Sequence, residues 1–262
     1  MTTKAIGIDI GGTGIKGGVV DLDSGELISD RMKVATPRGG EPDAIVAAVT
    51  QMVDGFGELA QEVPVGVCFP AVVIRGVTMS AANVSKKWIG LEAEKLFEKS
   101  LHRDITFVND ADAAGVAEAR YGAAKGHQGL VILTTLGTGI GSALLWNEEL
   151  VPNSELGHIE IGGKDAESRT SYAAKERYRL DWKKWAKRLQ VYYDTLDKLF
   201  SPDLFIVGGG VSKSYQEFLP LLKLRPDIVP AEHRNNAGIL GAAALAGGEH
   251  RATRAHDVLT QD

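Results

Sequence analysis

The residues of this chain that could do chemistry are carboxylates placed close to glycine-rich turns. One such turn lies in residues 9–16, which begin at Asp9, and a second lies in residues 136–142. Asp110 stands between them in sequence and follows a short apolar run. Glycine leaves backbone N–H groups open to a phosphate, because no side chain blocks its approach. Two such turns with a carboxylate between them predict a site for a donor phosphate and an acceptor hydroxyl.

Asp110 is predicted to be the general base that accepts the proton of the acceptor hydroxyl. It follows a buried strand, and the functional sites of α/β proteins gather at the C-terminal ends of strands. The alternative is a structural role, in which Asp110 or Asp112 caps the helix that ends at Tyr121. We expect catalysis at Asp110 and capping at Asp112.

The first turn also carries a predicted metal position. A carboxylate at Asp9 would repel a phosphate donor unless a cation lay between them, which predicts Mg²⁺ held there through water. A turn-forming aspartate is the alternative for Asp9, and a solvent-facing strand lysine is an equal alternative for Lys16. The predicted phosphate contacts are Gly11, Gly12, Thr13, Gly14, Lys16, Gly137, Thr138 and Gly139.

The composition predicts a soluble cytoplasmic protein. The chain has 262 residues, of which 44% are apolar and 24% charged, and its net charge of −5 argues against a general nucleic-acid partner. Cys68 is the only cysteine, which excludes an internal disulfide and a cysteine-rich zinc site, and its apolar neighbours favour a buried side chain over a catalytic thiol. No signal peptide is recognisable, and threonines and glycines interrupt the longest uncharged stretch, 126–147, which argues against a membrane helix.

Hydrophobic spacing predicts strands and helices that alternate in two domains. The predicted strands cover 5–10, 15–21, 26–34, 63–69, 105–108, 130–136, 141–146 and a run from Leu204, and the predicted helices cover 42–61, 91–101, 112–121, 164–188 and 237–246. The plan of strand, glycine turn and strand occurs twice, which predicts two related domains that face a cleft. We place these domains at 1–121 and 122–248, with the last helix able to pack back on the first domain, and a polar tail at 249–262.

One motif in the first turn has a competing interpretation. Residues 12–17 satisfy the dinucleotide pattern G-x-G-x-x-G. That pattern must open a helix, whereas here a predicted strand follows the glycines. A dinucleotide-binding fold is therefore disfavoured.

The motifs, in their order, resemble the ROK family of bacterial sugar kinases. The match covers most of the chain, from Asp9 to about Ala246. The motifs that carry it are Asp9-Ile10-Gly11-Gly12-Thr13, Asn109-Asp110, Leu136-Gly137-Thr138-Gly139, Glu155-Leu156-Gly157-His158 and Gly208-Gly209-Gly210-Val211. The resemblance implies an α/β, two-domain, actin-like or hexokinase-like (ribonuclease H-like) fold with a cleft between the domains.

The same resemblance implies roles for individual residues. The implied sugar-binding residues are Asn83, Asn109, Asp110, Glu155, His158 and Glu167, and the implied nucleotide-side residues are Gly208, Gly209 and Gly210. A carboxylate and an imidazole, such as Glu155 and His158, can divide a sugar diol between them. The alternatives are a core histidine for His158 and a turn-capping residue for Asn83. Glu167 is the weakest of the set, because no knuckle aligns it.

One departure from the family bears on the donor. Typical members follow Glu-x-Gly-His with a Cys-x-Cys-Gly zinc knuckle, but residues 161–168 contain no cysteine. We therefore expect no zinc. The cysteine-free, basic replacement is similar to polyphosphate-dependent glucokinases, which implies that inorganic polyphosphate as well as ATP serves as donor, with Mg²⁺, and that the acceptor is glucose or mannose.

Other functions stay open at this stage. One is a strictly ATP-dependent hexokinase of the family, and another is a sugar-responsive regulator, which the start of the first strand near residue 4 disfavours. An actin-like ATPase without acceptor is disfavoured by the pair Glu155 and His158. No nucleic acid or membrane partner is expected, and a homodimer is left open.

The charge of the chain is uneven, and this suggests a path for a polyanion. Residues 164–188 carry nine basic and four acidic residues, a local balance of +5. Our hypothesis is that this segment, including Lys183, Lys184, Lys187 and Arg188, and the Lys86-Lys87 pair line the path of a polyphosphate. The alternative is a solvated helix face.

Overall fold

The computed structural model describes residues 3–248, so the predicted tail at 249–262 lies outside the described residues. The strands are β1 (Lys4–Ile10), β2 (Gly14–Asp21), β3 (Met32–Ala35), β4 (Val65–Phe69), β5 (Val73–Ile74), β6 (Val77–Thr78), β7 (Leu91–Glu92), β8 (Ile105–Asn109), β9 (Leu130–Leu136), β10 (Ile140–Trp146), β11 (Glu149–Val151), β12 (Leu204–Gly208) and β13 (Asp227–Pro230). The α-helices are α1 (Pro42–Asp54), α2 (Ala93–Leu101), α3 (Asp110–Tyr121), α4 (Glu167–Thr170), α5 (Tyr172–Arg177), α6 (Trp182–Phe200) and α7 (Ala237–Ala246). None of these helices is long and apolar enough to cross a membrane.

Two five-stranded sheets share one plan. Their strand orders are β3-β2-β1-β4-β8 and β11-β10-β9-β12-β13, and a small third sheet has the order β5-β6-β7. In each large sheet an antiparallel hairpin, β1 with β2 or β9 with β10, is extended on one side by two parallel strands. This confirms the predicted repeat of strand, glycine turn and strand. It also places both glycine turns at the C-terminal end of the first strand of a hairpin, the position expected for a functional site.

Helices α3 and α7 pack against each other between the two large sheets. The other face of the first sheet is covered by α1 and α2, and the other face of the second by α6. Helix α7 approaches the first sheet so closely that a Cβ on Gly7 or Gly66 would overlap a carbonyl oxygen of the helix, at Ile239 and Ala242 respectively. Small residues in the strands and in α7 therefore let backbone contact backbone, and α7 ties the end of the chain to the sheet that carries the first glycine turn.

Some predicted elements are shorter in the structure. The strand predicted at 26–34 is confined to β3, because Ser29 Oγ accepts a backbone N–H of β2 (2.9 Å) and competes with regular strand pairing. The helix predicted at 42–61 ends with α1, where Gly55 follows. The helix predicted at 91–101 starts two residues later, since its first residues pair as β7.

The charged helix predicted at 164–188 is wrong as a single element. The structure breaks it into α4, α5 and the first part of α6. Ser171 Oγ accepts the Ala174 N–H (3.2 Å) and Asp181 Oδ1 accepts the Lys184 N–H (2.7 Å), so each residue caps a new helix. The basic side chains are consequently spread over three helices and the segments between them instead of lying along one face.

Candidate active site

Each glycine turn is closed by a backbone hydrogen bond between its first and last glycines, and the second turn is one residue shorter than the first. The Gly11 N–H donates to the Gly14 carbonyl (3.0 Å), and the Gly137 N–H donates to the Gly139 carbonyl (2.9 Å). The threonine of each turn is exposed at its apex. Strand β2 begins at Gly14, so no helix follows the first turn and the dinucleotide motif is excluded. Both turns are open enough for backbone N–H groups to meet a phosphate.

Two of the residues expected to bind sugar lie against these turns. A Cβ on Gly12 would lie 2.8 Å from the Cβ of Asn83, and a Cβ on Gly139 would overlap the Glu167 carboxylate. That carboxylate accepts the Ile140 N–H through Oε2 (2.7 Å), just after the second turn. Asn83 has φ of 61°, a left-handed conformation that asparagine tolerates well. A side chain at Gly12 or Gly139 would therefore collide with Asn83 or Glu167, so packing alone requires glycine at both positions. The hydrogen bond from the Ile140 N–H holds the Glu167 carboxylate in place without a zinc knuckle.

Asp110 is the first residue of α3 and lies half-buried at the end of β8. The prediction that Asp110 or Asp112 caps this helix is wrong, because Asn109 does so. Its Oδ1 accepts the N–H groups of Ala111 (2.8 Å) and Asp112 (3.1 Å), and its Nδ2 donates to the Ala71 carbonyl (3.0 Å). An N-cap needs an extended backbone before the helix, and Asn109 has it, with φ −66° and ψ 148°. The carboxylate of Asp110 is thus not needed as a cap.

The surroundings of Asp110 predict how activity depends on pH. Burial, and then the negative charge of Asp9, raise the pKa of Asp110 from 3.8 to about 7. A general base works only when ionised, so kcat/KM for glucose should fall as the pH drops through about 7 and level off above it. Rate profiles from about pH 5 to about pH 9 check this. An acid limb centred near the ordinary pKa of an aspartate would contradict it.

Asp112 has a different role from its neighbour. Its side chain is buried, and Oδ2 accepts the N–H of Asn153 (2.8 Å). The Asn153 amide in turn pairs with the backbone of Val73, accepting its N–H (2.9 Å) and donating to its carbonyl (2.8 Å). Asp112 therefore holds the loop that leads to Glu155, and Asn153 joins this loop to the small third sheet. Sequence reasoning missed Asn153, since its partner lies far away in the chain.

Glu155 and His158 are brought together, and a third residue orders them. His158 Nε2 lies 3.8 Å from Glu155 Oε2, and His158 Nδ1 lies 2.8 Å from Asp165 Oδ2. The hydrogen bond with Asp165 is the main cause of a raised pKa for His158, whereas burial is the main cause of a raised pKa for Glu155. The imidazole is half open to solvent, with 59% of the side chain exposed, which rules out the core-histidine alternative. Asp165 was missed because only the folded hairpin brings it next to His158.

The hairpin between these residues covers the segment in which the resemblance leads one to look for a zinc knuckle. It is closed by two backbone hydrogen bonds between Ile161 and Lys164 (2.8 and 3.3 Å) and by a bridge between Glu160 and Asp165. Asp165 Oδ1 also accepts the Ser168 N–H (2.9 Å) at the start of α4. Hydrogen bonds therefore order this segment, which contains no cysteine.

Asp9 lies beside the first turn with its side chain 17% exposed, and its Oδ2 accepts from Lys16 Nζ (2.9 Å). Within residues 3–248, no three His, Cys, Asp or Glu side chains are close enough together to hold a metal. Mg²⁺ does not require such a group, because it keeps several waters and takes one or two carboxylates together with substrate phosphates. The part-buried carboxylate of Asp9 beside the first turn therefore fits a Mg²⁺ held through water and shared with a phosphate donor. Lys16, which pairs with Asp9, supplies part of the positive charge that a phosphate donor would meet at the first turn.

A cavity of about 380 Å³ lies between the second turn and the glycine turn after β12. Gly137, Thr138 and Gly210 line it, which brings together two motifs that are distant in sequence. Gly209 has φ of 81° and its Cβ position is filled by the backbone of Leu136, so only glycine fits there. Sequence reasoning missed three further lining residues, Tyr172, Lys213 and Ser214. The cavity lies between the two motifs that predict the donor side of the site.

Cys68 is buried beneath the first turn. Its Sγ lies 3.8 Å from Asp9 Oδ1 and 3.5 Å from the Gly238 carbonyl. Burial, followed by the charges of Asp9 and Asp110, raises the pKa of the thiol well above its usual value. A thiol in this state is unreactive, which confirms the structural interpretation of Cys68.

Comparison with known proteins relates this geometry to characterised enzymes. The ROK family profile matches residues 5–174. The polyphosphate glucokinase of Mycobacterium tuberculosis is 49% identical over 238 residues, which cover 90% of this chain and 89% of the relative. The crystal structure of an inorganic polyphosphate/ATP-glucomannokinase from Arthrobacter superimposes with a TM-score of 0.90, at 50% identity, over 95% of this chain and 100% of that one.

A second structure extends the comparison to a complex. It is a ROK family glucokinase from Streptomyces griseus with glucose and AMPPNP, with a TM-score of 0.78, 26% identity, and coverage of 93% of this chain and 99% of that one. These similarities confirm the predicted actin-like, hexokinase-like fold. From the extent of the match in both sequence and structure, the chain belongs to the ROK family.

Proposed function

We propose that this protein is a glucokinase that transfers the terminal phosphoryl group of inorganic polyphosphate or ATP to the 6-hydroxyl of glucose. The observation that carries the proposal is the position of Asp110, half-buried at the start of α3, with its pKa raised to about 7. A carboxylate with that pKa can take a proton from a sugar hydroxyl near neutral pH. The names of relatives at 49% and 50% identity support the choice of sugar and donor.

The acceptor side of the site consists of polar side chains that surround Asp110. Asp110 accepts the proton of the attacking hydroxyl, and Glu155 and His158 hold neighbouring hydroxyls of the ring. Asp165 keeps His158 turned so that Nε2 faces Glu155. Asn83 and Glu167 complete the site from beside the two turns. Mannose would use the same contacts.

Asn109 contributes to the acceptor side in a more limited way. Its oxygen is fully used as the cap of α3, and one hydrogen of its amide is used by Ala71. An amide nitrogen carries two hydrogens, so one donor is left for a sugar hydroxyl. We therefore assign Asn109 a structural role first and a sugar contact second.

The donor side consists of the two turns and the cavity next to the second. Backbone N–H groups of residues 12–14 and 138–139 cradle the phosphates, since those of Gly11 and Gly137 already donate within the turns, and Gly208, Gly209 and Gly210 border the space for the rest of the donor. Asp9 would hold Mg²⁺ through water, together with the donor phosphates. When bound, this ion neutralises charge on the transferred phosphoryl group. Lys16 and Lys213 are placed to add positive charge near the phosphates.

Glucose alone is expected to close the two lobes, 1–121 and 122–248, because a kinase must exclude water to avoid hydrolysing its donor. The bond between Asn153 and Val73 already joins these lobes near the sugar site. At about 100 times its Kd, a ligand adds about 2.7 kcal/mol of stability, which raises the melting temperature of a chain of this size by roughly 5–10 °C. Thermal melts and small-angle scattering check this, with L-glucose as control. Identical scattering profiles with and without saturating glucose would contradict closure.

A coupled kinase assay that crosses donors with hexoses tests the proposed function. ATP, long-chain polyphosphate and tripolyphosphate are each combined with glucose, mannose and fructose in the presence of Mg²⁺. We expect phosphorylation of glucose with ATP and with long-chain polyphosphate. Activity with ATP alone would restrict the protein to an ATP-dependent hexokinase, and no sugar phosphate with either donor would refute the proposal.

A further inference from the structure

A second cavity, distinct from the donor cavity, gathers unneutralised positive charge. Its volume is about 340 Å³, and its lining consists of Lys164, Ser168, Arg169, Tyr178 and Arg188. We call it the basic cavity. Its lining contains three cationic side chains and two hydroxyls but no carboxylate. In a chain with a net charge of −5, such a concentration of positive charge is a local exception that favours an anionic ligand.

The cations of the basic cavity are not used up by ion pairs. Among residues 3–248, the salt bridges within 4.0 Å include neither Lys164 nor Arg169 nor Arg188. By contrast, Lys87 pairs with Glu41 (2.8 Å) and Lys184 with Asp181 (3.4 Å). Lys87 and Lys184, which the sequence analysis considered for the path of a polyanion, are therefore already paired with carboxylates. Within the described part of the chain, the three cations of the basic cavity form no such pair.

The guanidinium group of Arg188 is held in place before any ligand binds. Its Nη1 donates to the Arg169 carbonyl (2.9 Å), and its Cζ lies 4.6 Å from the centre of the Tyr178 ring. Arg177 lies over the same ring at 5.1 Å and donates to the Ser168 carbonyl. A guanidinium has five N–H donors, so Arg188 keeps several for a ligand. A fixed side chain also loses less entropy on binding, and its planar fork matches a phosphate.

Successive helices, α4 and α5, contribute to the linings of the basic cavity and the donor cavity. Ser168 and Arg169 of α4 line the basic cavity, whereas Tyr172 and Ala173 of α5 line the donor cavity. The Ala173 N–H donates to the Gly137 carbonyl (3.0 Å), and this bond fixes α5 to the second turn. Three residues of chain span at most about 10 Å, so Arg169 of the basic cavity and Tyr172 of the donor cavity lie near each other.

We propose that the basic cavity is a distal subsite for a linear condensed phosphate whose terminal group occupies the donor cavity. The inference rests on the proposed function, because it assumes that polyphosphate is a donor. ATP carries no phosphate beyond the three that the donor cavity would take, so the basic cavity contributes to the affinity for long chains and not to that for ATP. It also replaces the earlier hypothesis for Lys183, Lys184 and Lys187, which do not line the cavity.

The test compares two triple variants that remove the same amount of charge. The first, Lys164→Gln with Arg169→Gln and Arg188→Gln, empties the basic cavity of cations. The second, Lys183→Gln with Lys184→Gln and Lys187→Gln, removes three lysines from an exposed face of α6 and serves as control. For each protein, KM is measured for long-chain polyphosphate, tripolyphosphate and ATP at several salt concentrations, and a thermal melt verifies folding.

The cavity variant should raise KM for long-chain polyphosphate about tenfold or more and flatten its salt dependence, since charge-assisted phosphate contacts are lost. KM for ATP and for tripolyphosphate should change less than about twofold, and the control should change all three only slightly. The single variant Lys164→Gln, whose side chain is exposed, should show a smaller rise in the same direction. It keeps the test valid if the triple variant does not fold.

The outcomes separate this inference from the proposed function. Use of polyphosphate by the wild type, with unchanged KM in both Lys164→Gln and the triple variant, would overturn the subsite and leave the proposed function intact. An equal rise of KM for ATP and polyphosphate would show a structural role and would also overturn it. Activity of the wild type with ATP but not with polyphosphate would overturn the proposed donor and the subsite together.

Discussion

Replacing Asp110 with asparagine should lower kcat for glucose phosphorylation by about 10²–10⁴-fold, the usual loss when a general base is removed. Asparagine has nearly the same shape but no basic oxygen, so KM for glucose should change much less. The helix should be undisturbed, because Asn109 and not Asp110 provides the cap. Steady-state kinetics with both donors measure the effect. A kcat within a few-fold of the wild type would remove Asp110 from the mechanism.

Asp112→Asn is the matched control for this experiment. Asp112 lies on the same helix, and burial raises its pKa to about 7 as well. Its contact, the N–H of Asn153, can be accepted by an amide oxygen as well as by a carboxylate. Asp112→Asn should therefore keep kcat near that of the wild type. The contrast between two buried carboxylates with similar pKa values isolates position as the cause of catalysis.

Removing Mg²⁺ should lower activity by on the order of 10³-fold or more. A divalent ion on the transferred phosphoryl group contributes several kcal/mol to transition-state stability, and each 1.4 kcal/mol is about tenfold in rate. Chelation followed by stepwise return of Mg²⁺ measures this. Asp9→Asn should raise the Mg²⁺ concentration that gives half-maximal activity. Full activity after chelation would refute a role for the ion.

The metal prediction has a second part, which concerns zinc. Residues 161–168 contain no cysteine, and hydrogen bonds close the hairpin that they form. Elemental analysis of the purified protein should therefore find no stoichiometric zinc, and zinc should not restore the chelated enzyme. One tightly held zinc per chain would contradict this view of the segment.

The parts of the site that sequence reasoning could reach are those with local causes. A glycine turn between two strands is constrained by backbone sterics within a few residues, and both turns are found where they were predicted. Helix α7 was predicted with its observed bounds, because the run of small apolar residues that forms it is typical of a closely packed helix. Asp110 was placed correctly at the end of a strand, because the short apolar run before it indicates that strand.

The parts that were missed depend on contacts between distant segments or on competing local signals. The pairing of His158 with Asp165 needs the hairpin to fold first, and the pairing of Asn153 with Val73 crosses between lobes. The breaks in the charged segment are different, since Ser171 and Asp181 are ordinary N-cap residues that the sequence displays. The single helix at 164–188 was predicted from its charge pattern, without weighing these two N-cap residues. The breaks bring Ser168, Tyr178 and Arg188 from different segments to the lining of the basic cavity.

The most direct test of the central claim is to identify the product formed from glucose and polyphosphate in the absence of any nucleotide. The purified protein is incubated with Mg²⁺, glucose and long-chain polyphosphate, and the phosphorus NMR spectrum is followed over time. The account predicts that glucose 6-phosphate accumulates while terminal phosphates of the chain are consumed, and that Asp110→Asn abolishes both changes. Release of orthophosphate without sugar phosphate, or phosphorylation at another hydroxyl, would contradict it.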